Sequence, residues 1–189
     1  MCFIEGDVPV LTTARLRLEP LTGAHADELA PLLADRRVYR FTGGEPPTLR
    51  ELRDRYRRQE TRRSPDGLER WLNWALRRRA DGRAVGFVQS TVSEDPPAPA
   101  PVTAVLAWVI GPEFQGAGYA REAAGQMVAW LEDAGVRRFV AYIHPRHAAS
   151  MGVAAGLGMT ATDERVDGEV VWERWSVTPD AAGHDGGDV

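Results

Sequence analysis

A glycine-rich segment between an apolar run and an amphipathic run constrains this chain more than any other feature. Residues 102–110 are almost continuously apolar and predict a central strand, a Gly-Pro pair follows, and residues 118–134 carry apolar side chains at helical spacing. The first N–H groups of such a helix lack partners and lie at the positive end of its dipole. Gly116 and Gly118 remove side chains that would keep an anion from the backbone. The segment predicts a pyrophosphate-binding turn, although an ordinary strand-to-helix turn also fits two glycines.

Two common nucleotide-binding motifs do not describe this turn. A Walker loop ends in Gly-Lys-Ser/Thr, whereas the chain contains no lysine and all 23 of its basic residues are arginine. A dinucleotide-binding fingerprint needs a third glycine at the position that Arg121 occupies. The turn therefore belongs to neither of these two motifs.

The rest of the chain predicts a mixed α/β sheet with helices on its faces. Thr48 and Glu51 form a capping-box pattern that opens an arginine-rich helix. The other predicted helices are Ala24–Leu33 and Ala148–Leu157. The predicted strands are Leu11–Pro20, Trp71–Arg79, Ala84–Val92, Phe139–Ile143 and a closing hairpin of Thr160–Arg165 with Glu169–Val177.

Length and composition favour a single domain. A chain of 189 residues with 43% hydrophobic residues can bury a core large enough for stability without disulfide bonds or structural metal ions. We expect residues 1–177 to form this domain and residues 178–189, which are small and Gly/Asp-rich, to be a disordered tail. The proline-rich stretch 95–101 predicts a stiff surface loop rather than a domain boundary.

Charge, cysteine content and hydropathy exclude several classes of protein. The net charge of −4 argues against a general nucleic-acid binder. Cys2 is the single cysteine, so neither an internal disulfide nor a Cys/His metal cluster is expected. The chain has no apolar run of the roughly 18 residues that a membrane span needs, and its start does not resemble a signal peptide. We therefore expect a cytoplasmic protein, either a monomer or a homodimer, with no metal.

The sequence of the glycine-rich turn resembles a motif of a known protein family. Residues 115–120 read Gln-Gly-Ala-Gly-Tyr-Ala and match Gln/Arg-x-x-Gly-x-Gly/Ala, the coenzyme A pyrophosphate motif of the GNAT superfamily of N-acyltransferases. The flanking residues 112–123, the opening residues 13–18 and Leu157-Gly158-Met159 resemble the branch that includes ribosomal-protein N-terminal acetyltransferases. The likeness extends from about Leu11 to Val177.

The resemblance implies a GNAT-like fold: a mostly antiparallel central sheet in which two parallel strands splay, with helices on both faces. The strands would be residues 102–110 and 139–143, with the pantetheine arm of acetyl-CoA, or of another acyl-CoA co-substrate, between them. Backbone groups of Trp108, Val109 and Ile110 would bond the pantetheine and polarise the thioester carbonyl. The remaining implied coenzyme contacts are Gln115, Gly116, Ala117, Gly118, Tyr119, Ala120 and Ser150. Arg121 and Arg146 are candidate contacts of the coenzyme phosphates, with ordinary surface arginines as the alternative.

The expected catalytic side chains differ from those of many relatives. A glutamate on the strand before the loop is replaced here by Val105, and a tyrosine on the last short helix by Ala154. An Asn-x-x-Ser segment of relatives reads His147-Ala-Ala-Ser150, so Ser150 is the candidate donor to the departing thiolate, with a plain helix-surface serine as the alternative.

Two histidines are candidates for handling the proton of the amine. His144 and His147 flank Pro-Arg at the end of the second splayed strand, and histidine titrates near pH 6.5. His144 is the predicted base or amine-orienting group, although a loop histidine without a role is an alternative. Asp163 and Glu164 on the closing hairpin are rival bases.

The arginine-rich helix and the function class leave alternatives open. Residues 49–63 hold seven arginines, which indicate either a solvated helix face or a surface for an anionic partner. Trp71, Trp74 and Tyr39 are candidate walls of an acceptor cleft or core residues.

The leading hypothesis is an acyl-CoA-dependent N-acyltransferase acting on a primary amine of a small molecule, an antibiotic or a protein N-terminus. The alternatives are a non-catalytic coenzyme A-binding or sensor module and, more weakly, an RNA-associated protein.

Overall fold

The computed structural model describes residues 7–94 and 101–176, which form eight strands and four α-helices with three short 3-10 turns. The strands are β1 (Leu11–Thr12), β2 (Leu16–Pro20), β3 (Arg70–Arg78), β4 (Ala84–Glu94), β5 (Val102–Ile110), β6 (Arg138–Ile143), β7 (Thr160–Val166) and β8 (Glu169–Trp175). The helices are α1 (Ala26–Leu33), α2 (Leu49–Gln59), α3 (Tyr119–Asp133) and α4 (Ala148–Gly156). Within these two described ranges, no helix is both long and apolar enough to cross a bilayer.

All eight strands belong to one sheet in the order β1-β2-β3-β4-β5-β6-β8-β7. Every neighbouring pair is antiparallel except β5 and β6, which are parallel and connected through α3. The predicted fold class, a mixed α/β sheet that is mostly antiparallel with one parallel pair, is confirmed. The parallel connection through α3 places the start of α3 at the carboxyl end of β5.

Helices cover both faces of the sheet, and the strands therefore contribute to two hydrophobic clusters. On one face, Leu72, Trp74 and Leu76 of β3 pack with buried side chains of α3 in the larger cluster. On the other face, Ala75 packs with buried residues of α1 and α2. Because both faces are covered, the central strands read as nearly continuous apolar runs.

The predicted strand Leu11–Pro20 is wrong, because it is two strands that pair with each other. Thr13 N donates to Leu16 O at 2.9 Å, and Leu16 N donates back to Thr13 Oγ1 at 2.9 Å. These bonds close a tight turn between β1 and β2. The alternation of apolar and polar residues predicts β2 correctly, but it does not indicate the turn between β1 and β2.

The arginine-rich helix is shorter than predicted. Thr48 and Glu51 form the expected reciprocal capping box, but α2 ends at Gln59 instead of residue 63. Arg62 has a φ of 62°, which no α-helix accommodates, and its carbonyl accepts from Trp71 N at 3.0 Å. The chain turns into β3 at that point.

Residues 95–100 of the proline-rich loop and the expected disordered tail at 178–189 lie outside the described residues, so both stay predictions.

Candidate active site

The parallel strands β5 and β6 separate toward their carboxyl ends. Their register joins Thr103 to Arg138, Ala104 to Phe139 and Val105 to Val140, and no further pair follows. Residues 106–110 of β5 continue along β4, and residues 141–143 of β6 continue along β8. A wedge therefore opens between the two strands, as the family resemblance implied.

The glycine-rich turn lies at the carboxyl end of β5, where the wedge opens. Gly116 has a φ of 77°, and Gly118, the N-cap of α3, has a φ of 81°. Both values are in the left-handed region that favours glycine. Among the described residues, no acceptor is bonded to the backbone N–H groups of residues 116–121. These amides lie at the positive end of the α3 dipole, so the turn fits the binding of a diphosphate.

Polar contacts hold this turn in place. Gln115 Nε2 donates to Ile110 O at 2.9 Å, so its side chain anchors the turn to the end of β5. Arg15 donates to Ala117 O at 2.9 Å and also pairs with Glu122 in the first turn of α3. Burial alone would raise the pKa of Glu122, but hydrogen bonds from the Thr13 hydroxyl and from Arg15 outweigh it and lower the pKa. The turn is therefore preorganised before any ligand arrives.

Arg121 lies beside the turn and reaches toward α4. A Cβ added at Gly156 would come within 2.6 Å of Arg121 Nε, so the arginine side chain packs directly on the α4 backbone. The part of the chain that the structure describes offers Arg121 no carboxylate within 4.0 Å. Its guanidinium is thus a cation available to an anion bound at the turn.

The start of α4 brings three of the predicted site residues together. Trp108 Nε1 donates to Ser150 Oγ at 3.3 Å, which connects β5 to α4 across the wedge. His147 is the N-cap of α4, and its Nδ1 accepts from Ser150 N at 2.9 Å. His144 Nδ1 accepts from Arg146 N at 3.1 Å, in a solvent-exposed contact. Ser150, His147 and His144 therefore lie along one border of the wedge.

The environment of His147 favours the neutral imidazole. Burial lowers its pKa from the usual 6.5, and the nearby His144 lowers it further, against a raising effect of its own backbone. A neutral imidazole whose Nδ1 accepts a hydrogen bond carries its proton on Nε2. His147 therefore presents an N–H donor to its surroundings at neutral pH.

Phe41, which the sequence analysis did not single out, packs on both histidines. Its ring centroid lies 4.3 Å from that of His147, edge-on, and 5.5 Å from that of His144. Phe41 belongs to the irregular segment between α1 and α2, where no periodic pattern marks it. The segment before α2 thus covers the histidine side of the wedge.

The two positions at which many relatives carry polar groups are occupied here by apolar residues, one of them partly exposed and the other buried. Val105 is in the last residue pair between β5 and β6 and is partly exposed. Ala154 is fully buried within the larger cluster.

The rival bases Asp163 and Glu164 are exposed on β7, which is separated from β6 by β8. Strands lie about 4.8 Å apart, so β7 is roughly 10 Å from β6.

A cavity of about 210 Å³ lies between α2 and the sheet; we call it the α2 cavity. Its lining side chains are polar or aromatic: Arg55, Arg58, Gln59, Trp71, Asn73, Gln89 and Thr91. Trp71 lines this cavity, and its role as a wall of the acceptor cleft stays a prediction. Trp74 is instead fully buried and donates to Pro9 O at 2.8 Å, and Tyr39 donates to Leu33 O at 3.0 Å.

The polar residues of this cavity were missed in the sequence analysis, although a signal was present. Asn73 interrupts the apolar stretch 71–76 of β3, and Gln89 and Thr91 follow at a spacing of two in the next strand. A spacing of two places both side chains on one face of β4. No group of three or more potential metal ligands occurs in residues 7–94 and 101–176.

The opened parallel pair and the unbonded amides at the start of α3 define an α/β protein of the acetyltransferase class. Residues 15–160 match the family model described as an acetyltransferase (GNAT) domain. The chain belongs to this family, whose members use acetyl-CoA. A search of functionally curated proteins finds no match.

Solved structures of acetyltransferases share the fold. A GNAT-family acetyltransferase from Bacillus anthracis superposes with a TM-score of 0.69 at 15% identity, covering 88% of this chain and 98% of that one. An acetyltransferase from Agrobacterium tumefaciens gives 0.64 at 24% identity, covering 92% and 98%. RimL, a ribosomal alpha-N-protein acetyltransferase solved in complex with coenzyme A, gives 0.68 at 16% identity, covering 89% and 97%.

Proposed function

We propose that this protein transfers an acyl group from an acyl-CoA, specifically acetyl from acetyl-CoA, directly to a primary amine. The observation that carries the proposal is the slot that begins where the β5–β6 pairing ends, at Val105 and Val140, and that leads along β5 to the amides of residues 116–121. These amides have no acceptor among the described residues. This arrangement offers an extended slot for a thioester arm and an anion site at its mouth. Membership in the acetyltransferase family supports the same conclusion.

Coenzyme binding rests mainly on backbone atoms. The N–H groups of residues 116–121 bind the diphosphate, and the Arg121 guanidinium adds a positive charge beside it. Backbone groups of Trp108 on the open edge of β5 bond the pantetheine amides and polarise the thioester carbonyl. The backbone groups of Val109 point to β4 instead, where Val109 lies opposite Phe87. The carbonyl of Ile110 is bonded to Gln115, so these two residues shape the slot rather than contact the ligand through those atoms.

The chemical step needs a neutral amine and a stabilised thiolate. An alkyl amine with a pKa of about 10 is neutral only about one part in a thousand at pH 7, which corresponds to roughly 4 kcal/mol. The amine nitrogen attacks the thioester carbon, the C–N bond forms, and the C–S bond breaks. A base takes the amine proton, and the departing sulfur accepts a hydrogen bond.

His144 and Ser150 perform these two tasks. The bond from Arg146 N to His144 Nδ1 is solvent-exposed, so its release frees Nδ1 to accept the amine proton. Ser150 Oγ accepts from Trp108, so its own hydroxyl proton can be donated to the sulfur. His147, held as the cap of α4, orients Ser150 through the Ser150 backbone N–H.

The experiment that tests this proposal measures coenzyme binding and turnover separately. Calorimetry compares acetyl-CoA with S-acetylpantetheine, which carries the thioester but lacks the diphosphate. We expect acetyl-CoA to bind markedly tighter, and we expect amine-dependent release of free thiol across a panel of primary amines. Binding without thiol release from any amine would identify a non-catalytic coenzyme-binding module. Absence of heat with acetyl-CoA and with coenzyme A would overturn the proposal altogether.

A further inference from the structure

The α2 cavity adjoins the wedge through the register of the sheet. Asn73 on β3 lies opposite Gln89 on β4, and Gln89 lies opposite Ala107 on β5. Thr91 lies opposite Val105, the last residue of β5 that pairs with β6. Because neighbouring strands are about 4.8 Å apart, a molecule in the cavity needs to cross only β5 to reach the wedge.

The charge lining this cavity is positive, and its two arginines form no salt bridge with the described residues. Glu51, which is not a lining residue, interacts with Arg55 only at longer range. Arg55 and Arg58 are exposed on one face of α2, three residues apart, and no carboxylate of the described residues lies within 4.0 Å of either guanidinium. Other arginines of the same helix are paired, Arg53 with Asp27 and Arg57 with Asp54. The remaining lining residues are neutral, so nothing in the cavity balances the two charges.

A buried amide at the cavity indicates that a polar ligand belongs there. Asn73 is only 3% exposed, and its Nδ2 has no hydrogen-bond partner in the described parts of the chain. A buried polar group without a partner costs free energy, and native structures rarely leave one unexplained. Gln89 and Thr91 add further hydrogen-bonding groups on the same side of the sheet.

A second basic cavity has arginines that are paired or bonded within the fold. A cavity of about 420 Å³ beside Tyr119 is lined by Arg15, Arg78 and Arg79. Arg15 pairs with Glu122 and Arg78 with Asp81, and Arg79 donates to the carbonyls of Thr13 and Ala14. Its arginines are therefore engaged in the fold, whereas Arg55 and Arg58 are not.

We propose that the α2 cavity binds a carboxylate of the acyl acceptor, so that the substrate is a primary amine that also carries a carboxylate. This inference rests on the proposed N-acyltransferase function. A simple cationic amine would be repelled by two guanidinium groups that form no salt bridge, whereas a carboxylate gains charge-assisted hydrogen bonds from them. The carboxylate binds under α2 near Arg55 and Arg58, and the amine extends over β5 into the wedge.

Matched amines that differ only in charge test this assignment. The probes are 4-aminobutyrate and 6-aminohexanoate, each compared with its own primary amide, with kcat/KM measured at saturating acetyl-CoA. We expect the acids to exceed the amides by about tenfold or more in the wild type. The double variant Arg55→Gln/Arg58→Gln should bring the acid-to-amide ratio close to one. Turnover of the amides should not fall in this variant, because loss of the two positive charges relieves repulsion of a cationic amine. Comparing ratios between proteins cancels any difference in amine pKa.

Arg50→Gln is the matched control. Arg50 is exposed in the first turn of α2, and its substitution removes one positive charge from the same helix. It lies five residues (about 8 Å along the helix) from Arg55 and eight residues (about 12 Å) from Arg58. It should preserve the acid-to-amide ratio. A ratio near one in the wild type, or an equal ratio in wild type and double variant, overturns the inference while amide turnover leaves the proposed function standing. Failure of every amine to release thiol removes both.

Discussion

The indole of Trp108 donates a hydrogen bond to Ser150 Oγ, with 3.3 Å between the two heavy atoms. Trp108 is on β5 and Ser150 is in the first turn of α4, so the bond spans the wedge between the strands. A hydroxyl that accepts one hydrogen bond keeps its own proton for another partner. In the proposed reaction, that partner is the sulfur that leaves the acyl group.

Ser150→Ala should therefore lower kcat by about tenfold, since one hydrogen bond to a charged group is lost in the transition state. The dissociation constant for coenzyme A should change little because the amides of the glycine-rich turn are intact. Steady-state kinetics and calorimetry on the same preparations separate the two effects. Trp108→Phe keeps an aromatic ring but removes the N–H, and we expect a smaller decrease. An unchanged kcat in Ser150→Ala would exclude the serine as the donor to the sulfur.

Much of the fold could be predicted from the sequence because local patterns specify it. The continuous apolar run placed β5 at Val102–Ile110, and the capping box placed the start of α2 at Leu49. The glycine-rich turn was also local, and the structure has both Gly116 and Gly118 at positive φ. Such features depend on neighbours in the chain, which is the information a sequence pattern contains.

The remaining features depend on contacts between distant residues. Trp108 and Ser150 are 42 positions apart, and Phe41 reaches the two histidines from an irregular segment. The polar residues of the α2 cavity meet only because the register aligns β3 with β4. No local pattern sets that register, so only the structure reveals the cavity and the absence of salt bridges at its two arginines.

The titration of His147 should make the stability of the protein depend on pH. Burial disfavours the imidazolium, so the pKa of His147 in the folded state is below its usual 6.5. Between these two values the unfolded chain binds more protons, and stability therefore falls as pH falls below about 6.5. His147→Asn supplies another good N-cap acceptor that does not titrate. Its melting temperature should decrease less than that of the wild type between about pH 7.5 and 5.5.

His147→Ala is the control for the cap itself. It removes the acceptor for Ser150 N and should cost about 1 kcal/mol of stability over the whole pH range. The comparison separates loss of the cap from loss of the titrating group. Parallel pH curves for the wild type and His147→Asn would show that this imidazole does not contribute.

His144→Ala tests the base. If His144 takes the amine proton, kcat/KM near pH 7 should fall by about tenfold or more. The difference from wild type should shrink toward pH 10, where the amine is increasingly neutral without help. A pH–rate profile from about 6 to 10 measures this convergence. A uniform decrease at every pH would indicate a positioning role for His144, since its Nδ1 also holds the Arg146 backbone.

Gly116→Ala tests the role of the glycine-rich turn against a matched position. Gly116 has a φ of 77° and Gly67, in the loop before β3, has a φ of 76°, and an added Cβ at either position has no heavy atom within 4 Å. The backbone strain of an alanine should therefore be alike, about 1 kcal/mol of stability in each variant. Only the Cβ at position 116 stands beside the amides that bind the diphosphate. Calorimetry should show coenzyme A affinity reduced about tenfold or more in Gly116→Ala and unchanged in Gly67→Ala, because the two variants share the strain and differ only in access to the anion site. Equal affinities in both variants would place the diphosphate elsewhere on the protein.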